Sequence, residues 1–516
     1  MKPSGTRIKK SLLRIILGRT GFTALALITQ LLLILIYFKF LMDYSEAVTV
    51  LLYFISFGVL LHILNSDENP SYKIAWLLPV AIFPVFGALI FLFFKLQPSV
   101  KVINSKLKHN IFKSRKYLKQ DKKVLNEYCA QYPAGEGFSR YMDNYAGYPV
   151  CGNTDAVYFP LGDEMYPVLL EKLESAKSFI FMEFFIIDRG EMWESIFEIL
   201  KRKAAEGVEI RLMYDGLCSI AMLPRNYPKT LAQDGIQCRI FNPVRPFLSS
   251  SQNNRDHRKI CVIDGECGFT GGVNIADEYI NRIVRFGHWK DTAVMIEGEA
   301  VNNLTMMFLQ MWNITDISAN DYPKYLAAPE KKTAAGFVLP FGDSPLDKEP
   351  VGKEVYLHIL NNAKKYVHIT TPYLVLDDEM ESALIYAAKR GVDVKLILPH
   401  KPDKRYVFYL AHAHYPALIN AGVRIYEYTP GFMHAKTYVS DDMHAVVGTI
   451  NMDFRSLYLH WECACYMYGT DCIADIERDF RHTLKQCTAI TDADIKSFSI
   501  FEKLTGRILK IFAPLM

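Results

Sequence analysis

The stretch RDHRKICVIDGECGFTGGVN, Arg255 to Asn274, decides how the rest of the chain is read. It sets His257, Lys259 and Asp264 at the spacing H-x-K-x4-D, and Gly271, Gly272 and Asn274 follow. The arrangement returns as HAKTYVSDDMHAVVGTIN, where His434, Lys436 and Asp441 precede Gly448, Thr449 and Asn451. Chance supplies on the order of 0.05 copies of the triplet in a chain of this composition, so two copies with matching tails mark a duplication.

HRKICVID alternates, which puts His257 and Lys259 on one face of a strand. Asp264-Gly265 signals a turn and GFTGGVN reads as the returning strand, bringing Asn274 back beside His257. The glycine pair permits close approach of backbone or substrate. One copy alone is equally well a surface basic pair on a strand. Two copies brought together build one site with two histidines, two lysines and two asparagines.

That inventory suits a phosphodiester. Lys259, Asn274, Lys436 and Asn451 can surround its non-bridging oxygens as charge shifts onto them. One imidazole can attack phosphorus while the other protonates the leaving oxygen and later deprotonates the acceptor hydroxyl. No metal or other cofactor is expected: no H-x3-H or H-E-x2-H pattern occurs, and the lysines repel a cation. A nucleophilic histidine needs an acceptor for its second nitrogen. Asp291 in HWKDT and Glu462 in LHWEC, each downstream of its own copy's Asn, are the candidates.

The surrounding chain repeats as well. LLEKLESAKSFIFMEFFII and LHILNNAKKYVHITTPYLV each lead through an amphipathic helix and a Gly turn to a second strand. LAQDGIQCRIF and LINAGVRIYEY add a further helix-Gly-strand step. The unit is an α/β pattern with a largely parallel sheet, completed by the motif hairpin into a central mixed sheet flanked by helices. The expected division is a first domain over 135–320, a polar linker over 321–335 and a second domain over 336–487. A tail over 488–516 has apolar residues at helical spacing beside Lys496, Lys503, Arg507 and Lys510, which suits either a packing helix or a membrane interface.

The 516-residue chain is half hydrophobic with a net charge of +4, which excludes a disordered or fibrous protein and implies no polyanion partner. Its ten cysteines include no C-x2-C pair, as expected of thiols in a reducing compartment. Within residues 1–98, three apolar segments, 22–38, 47–64 and 74–94, approach the ~20 residues that span a bilayer. Trp76 and Tyr72 are placed where interfacial aromatics occur. Segment 22–38 is long for a signal peptide and no A-x-A site follows it. A basic connector, 99–134, suits anionic headgroups better than nucleic acid. Basic flanks at both ends favour an even number of crossings, whereas three segments are present. The expected location is a multi-pass membrane protein with its catalytic domains on the cytoplasmic side.

The duplicated H-x-K-x4-D resembles the phospholipase D superfamily. NNRDHRKICVIDGECGFTGGVNIADEY, GFMHAKTYVSDD and GTINMDFRS resemble bacterial cardiolipin synthases within it. The resemblance implies phosphatidyl transfer between two phosphatidylglycerol molecules, with anionic lipids and the bilayer as partners and no nucleic acid. It implies His257 as nucleophile and His434 as general acid/base. Lys259, Asn274, Lys436 and Asn451 would bind phosphate, and Asp264 and Asp441 would complete the motifs as braces. His460 departs from the family's usual Asn. Phosphatidic acid release, a phosphatidylethanolamine donor, a tethered nuclease and an inactive scaffold are the competing expectations.

Overall fold

A computed structural model describes residues 46–95, 98–244, 253–315, 321–326, 333–347 and 349–515, with a few isolated positions between 29 and 40. The first half supplies β1 (Thr154–Phe159), β2 (Phe179–Phe184), β3 (Glu209–Asp215), β4 (Gln237–Phe241), β5 (Lys259–Ile263), β6 (Cys267–Gly271), β7 (His288–Lys290) and β8 (Ala293–Gly298). The second supplies β9 (Phe337–Asp343), β10 (Tyr366–Thr370), β11 (Asp393–Pro399), β12 (Arg424–Tyr428), β13 (Gly431–Met433), β14 (Thr437–Ser440), β15 (His444–Gly448), β16 (Glu462–Tyr468) and β17 (Cys487–Ala489).

Two mixed sheets result, ordered β1-β8-β6-β5-β2-β3-β4 and β17-β12-β11-β10-β14-β15-β16-β9. The duplicated α/β architecture is present, but the parallel part is smaller than the repeat implied. Within these two sheets only β2-β3-β4 and β10-β11-β12 pair in parallel, and a separate two-stranded sheet joins β7 to β13. The motif hairpins β5-β6 and β14-β15 are antiparallel, since a three-residue turn can join only antiparallel neighbours.

Helix α5 (Val301–Trp312; α1–α4 are the earlier helices described below) is buried on nearly every residue and packs against β2, β5, β6 and β8 of one sheet and β9 of the other. One hydrophobic core therefore runs through both halves. Asn303 donates to the carbonyls of Pro149 and Pro340 at 3.2 and 3.0 Å, satisfying polar groups inside that seam.

At the N-terminus lie α1 (Glu46–Leu64), α2 (Pro70–Ile82), α3 (Pro84–Lys95) and α4 (Pro98–Ser114). Most of the expected segment 22–38 lies outside the described residues. Segment 74–94 is not one span. Pro84 has no amide hydrogen and forces the preceding residue out of helical conformation. Phe83 accordingly sits at φ −126° and ψ 72°, and the chain doubles back. Gly87 lies so close to Pro79 that a Cβ would come within 2.5 Å of its carbonyl oxygen. Trp76, expected at an interface, is instead buried between the limbs with its ring 5.4 Å from Phe91. Lys95 and Glu68 close the open end at 2.5 Å.

The limbs of this hairpin are about 20 and 18 Å long and α1 about 28 Å, against a hydrocarbon core of ~30 Å. No described helix is long and apolar enough to cross a membrane. The basic connector is folded, not extended: Asn110 on α4 donates to the Gln310 carbonyl at 3.0 Å, and Gln310 donates to Ser114 Oγ at 2.8 Å.

Candidate active site

Both motif hairpins open toward one cleft of about 680 Å³ between the halves. His257, Asn274, His434 and Asn451 line it. Lys259 and Lys436 lie behind the histidines, nearly without solvent exposure. Each ammonium reaches back to the main-chain carbonyl of the histidine two residues earlier.

The acids cross over. His257 Nδ1 donates to Glu462 of the other half, 3.0 and 2.9 Å from its two oxygens. His434 Nδ1 donates to Asp291 of the first half at 2.5 Å, with Lys436 Nζ 2.9 Å from the same nitrogen. Both residues named as candidate orienters therefore touch a motif histidine, each across the domain boundary. Main-chain pairing enforces the exchange. The His257 amide donates to the Trp461 carbonyl and the Trp461 amide to the Arg255 carbonyl, both at 2.9 Å. On the other side β7 pairs in parallel with β13, and the His434 amide donates to the Lys290 carbonyl at 2.8 Å.

The tail residues differ between copies in a compensating way. At Gly272 a Cβ would lie 2.0 Å from Asp291 Oδ1, so the missing side chain makes room for the carboxylate. The equivalent Thr449 has a side chain, and its hydroxyl donates to Glu462. Asn274 Oδ1 accepts from the Ile186 amide at 3.0 Å and its Nδ2 donates to Tyr279 at 2.7 Å. Asn451 Nδ2 donates to Asp453 at 3.2 Å.

Asp264 and Asp441 lie outside the cleft. Each occupies a positive-φ turn at the far end of its hairpin, φ 54° and 55°. Asp264 accepts from the amides of Lys177, Ser178 and Phe179 at 2.7, 2.7 and 2.8 Å. Asp441 accepts from those of Lys364, Lys365 and Tyr366 at 2.6, 2.8 and 2.9 Å. These carboxylates anchor the chain entering β2 and β10.

Burial sets the protonation states. It pushes His257 down to about 3, with Glu462 opposing and Lys259 reinforcing the shift. His434 falls to about 4 through burial and the Lys436 charge. Burial alone would raise Glu462, but His257 and His460 hold it well below the usual range. Asp291 behaves alike, burial opposed by Lys436 and His434. With the acids ionised and Nδ1 protonated, each Nε2 keeps its lone pair at neutral pH. Burial lowers Lys259 to about 8 and Lys436 to about 7.

Three cleft residues were not singled out in the sequence. Arg255, paired with Asp215 at 3.4 Å, stands two before His257, so the alternation that found Lys259 applies to it too. Arg455 lies 3.3 Å from His460 Nε2. Tyr279 places its ring 5.5 Å from that of His434, and no spacing announced it. His460 stands 5.6 Å from His257 ring to ring, its buried Nδ1 3.7 Å from Glu462 and without a hydrogen bond. His257, His460 and Glu462 bring potential ligand atoms within 4.8 Å of one another, with the Lys259 charge opposing a cation beside them.

Known proteins agree with this architecture. The family described as cardiolipin synthase, phospholipase D-like domain, matches residues 169–312 and 356–484, and phospholipase D-nuclease N-terminal matches 50–95. An uncharacterized protein of Streptococcus mutans is 46% identical over 89% of this chain and 100% of its own length. Cardiolipin synthase 2 of Bacillus anthracis is 34% identical over 87% of this chain and 88% of its own. The crystal structure of phosphatidylserine synthase from Haemophilus influenzae superposes with a TM-score of 0.56 at 13% identity, covering 73% of this chain and 97% of that one, a likeness of fold alone. Duplicated motifs, one shared cleft and these matches place the chain in the phospholipase D-like cardiolipin synthase family.

Proposed function

We propose that the cleft transfers a phosphatidyl group from one phosphatidylglycerol to another, giving cardiolipin and glycerol. His257 Nε2 attacks phosphorus, and the P–O bond to glycerol breaks as His434 donates its proton to the leaving oxygen. The second phosphatidylglycerol then attacks the phosphohistidine through a headgroup hydroxyl, gives its proton to His434, and the P–N bond breaks. A phosphodiester brings negative charge to the His434 ring, which favours the protonated imidazole the first step requires. Lys259, Lys436, Asn274 and Asn451 hold the non-bridging oxygens.

The observation that carries this reading is the reciprocal pairing of His257 with Glu462 and His434 with Asp291 around one cleft. Its wall includes Phe185, Leu217, Met222, Val375 and Leu410, which suits acyl chains better than nucleic acid. Purified protein in phosphatidylglycerol vesicles should release glycerol and cardiolipin in equal amounts, and His257→Ala should release neither. Glycerol release without cardiolipin would replace transfer by hydrolysis.

The hairpin also bears on topology. We propose that segments 22–38 and 47–64 supply two crossings, the bilayer thinning locally where α1 alone falls short of its hydrocarbon core, while α2 and α3 enter and return on one side. Two crossings put both basic flanks on the cytoplasmic side, which three could not. A tag at residue 2 and one at residue 119 should both be protected from protease in sealed right-side-out vesicles.

A further inference from the structure

The C-terminal helix presents its faces in the reverse of the order a core-packing helix uses. Helix α7 (Ile500–Phe512) lies along α6 (Arg405–Asn420), and the side it turns to α6 joins polar and small residues to Leu509, which packs beside Leu410. Glu502 pairs with His412 at 2.6 Å, and Lys510 pairs with Glu381 at 3.0 Å, which His414 also holds at 2.6 Å. Gly506 lies against Tyr409, where a Cβ would meet the carbonyl oxygen at 2.3 Å. The outward side carries Ile500, Phe501, Leu504, Ile508 and Ile511, from 39% to 85% exposed. Positions 500, 504, 508 and 511 form one stripe at helical spacing, with Arg507 exposed beside it.

The neighbours of this stripe indicate what covers it. The chain just after α7 touches α2, and Leu515 packs on the cluster of Val59, Trp76 and Phe91. The hairpin and α1 turn Phe54, Phe57, Ile74 and Phe83 outward, and α2 of that hairpin contacts α7 itself. Ala513, at the end of α7, lines the active-site cleft. At the same cleft, on the first domain, Arg285 and Phe286 follow the exposed Ile283 and Val284. Arg282 and Arg285 bracket that apolar tip while paired to Glu191 and Glu278.

We infer that α7 lies in the plane of an anionic bilayer, with its apolar stripe at the acyl-chain boundary and Lys503 and Arg507 among the headgroups. The 282–285 tip contacts the same surface from the other lip, so the cleft opens directly onto lipid. The identity of the lipid drawn in rests on the phosphatidyl-transfer reading; the docking geometry does not.

Full-length protein carrying Leu504→Glu and Ile508→Glu should be compared with wild type on phosphatidylglycerol vesicles and on dispersed short-chain phosphatidylglycerol. Vesicle turnover should fall at least about tenfold and short-chain turnover by no more than about twofold, because only the vesicle route needs interfacial burial. In vesicles with brominated acyl chains, Ile508→Trp should show quenching beyond that of wild type. Equal turnover on vesicles, equal loss on both substrates, or an Ile508→Trp signal that bromine leaves unchanged would overturn the inference. So would a loss of dimer mass in the glutamate variant with lipid contact intact, since a second copy would then be the occupant. Wild type making no cardiolipin from either substrate defeats the transfer reading alone, because quenching still reports docking.

Discussion

His257 and Glu462 stand 2.9 Å apart although 205 residues separate them in the chain. Neither belongs to the other's half of the duplication, and the reverse pair, His434 with Asp291, completes the exchange. The histidine–carboxylate pairs are built between domains, not within them.

Glu462→Gln keeps the shape of the contact but removes its charge and lets the amide dictate the tautomer. The rate of phosphohistidine formation should drop by about 10³- to 10⁴-fold, the scale known for removing the acid behind a catalytic histidine. Single-turnover trapping of labelled phosphatidylglycerol on the protein measures this directly. A loss below tenfold would mean that Glu462 does not orient the nucleophile.

Lys436, lowered to about 7 by burial, carries its charge only below that pH. Free-protein kcat/KM should therefore fall more steeply as pH rises through 7, where the Lys436 charge is lost on top of the His434 proton that a ring lowered to about 4 gives up earlier, while His257, lowered to about 3, gives no acid limb above pH 4. Lys436→Arg cannot deprotonate in this range, so the basic limb should move upward even where the absolute rate falls. A profile unchanged between the two proteins would assign that limb to another group.

Gly272→Ala should reduce turnover by about 10²-fold or more with little change in Tm. The new methyl occupies space within 2.0 Å of Asp291 Oδ1 and displaces the carboxylate from His434. Rates and thermal melts on the same preparation separate this from general unfolding.

Asp264→Ala should do the opposite. It removes three backbone hydrogen bonds at a positive-φ turn, costing about 1–3 kcal/mol of stability. Turnover per folded molecule should stay near wild type, as expected of a brace outside the cleft. A rate defect persisting in fully folded protein would put Asp264 in the chemistry.

His460→Asn tests the buried Nδ1 that has no hydrogen-bond partner beside His257. Cardiolipin formation should persist within about tenfold, because Glu462 keeps its bond to His257. The ratio of glycerol to other alcohols accepted in the reverse reaction should shift, since that ring faces the cleft. An unchanged ratio would remove His460 from acceptor choice.

Much of this was legible in the residues because it is local. The alternation in HRKICVID placed Lys259 behind His257, and Asp264-Gly265 marked the hairpin turn, since side-chain period and turn geometry are short-range. The acids Asp291 and Glu462 could be named, but their exchange between halves could not, because it depends on main-chain pairing such as His257 to Trp461. Segment 74–94 misled for a different reason. Its apolar content satisfied the length rule for a span, while Pro84, a single residue, folded it in two. Tyr279 was invisible, because nothing in a sequence says which ring will reach a histidine 155 positions on.

The reciprocal acids carry a mechanical corollary. A small rotation of one half against the other would lengthen both histidine–carboxylate contacts together, so the two motif histidines lose their partners as a pair. Turnover thereby reports alignment of the two halves the way a two-key lock reports both keys. An enzyme that is misassembled, or half unfolded, would then be silent and not promiscuous, and would leave its reactive imidazoles harmless to the surrounding lipid.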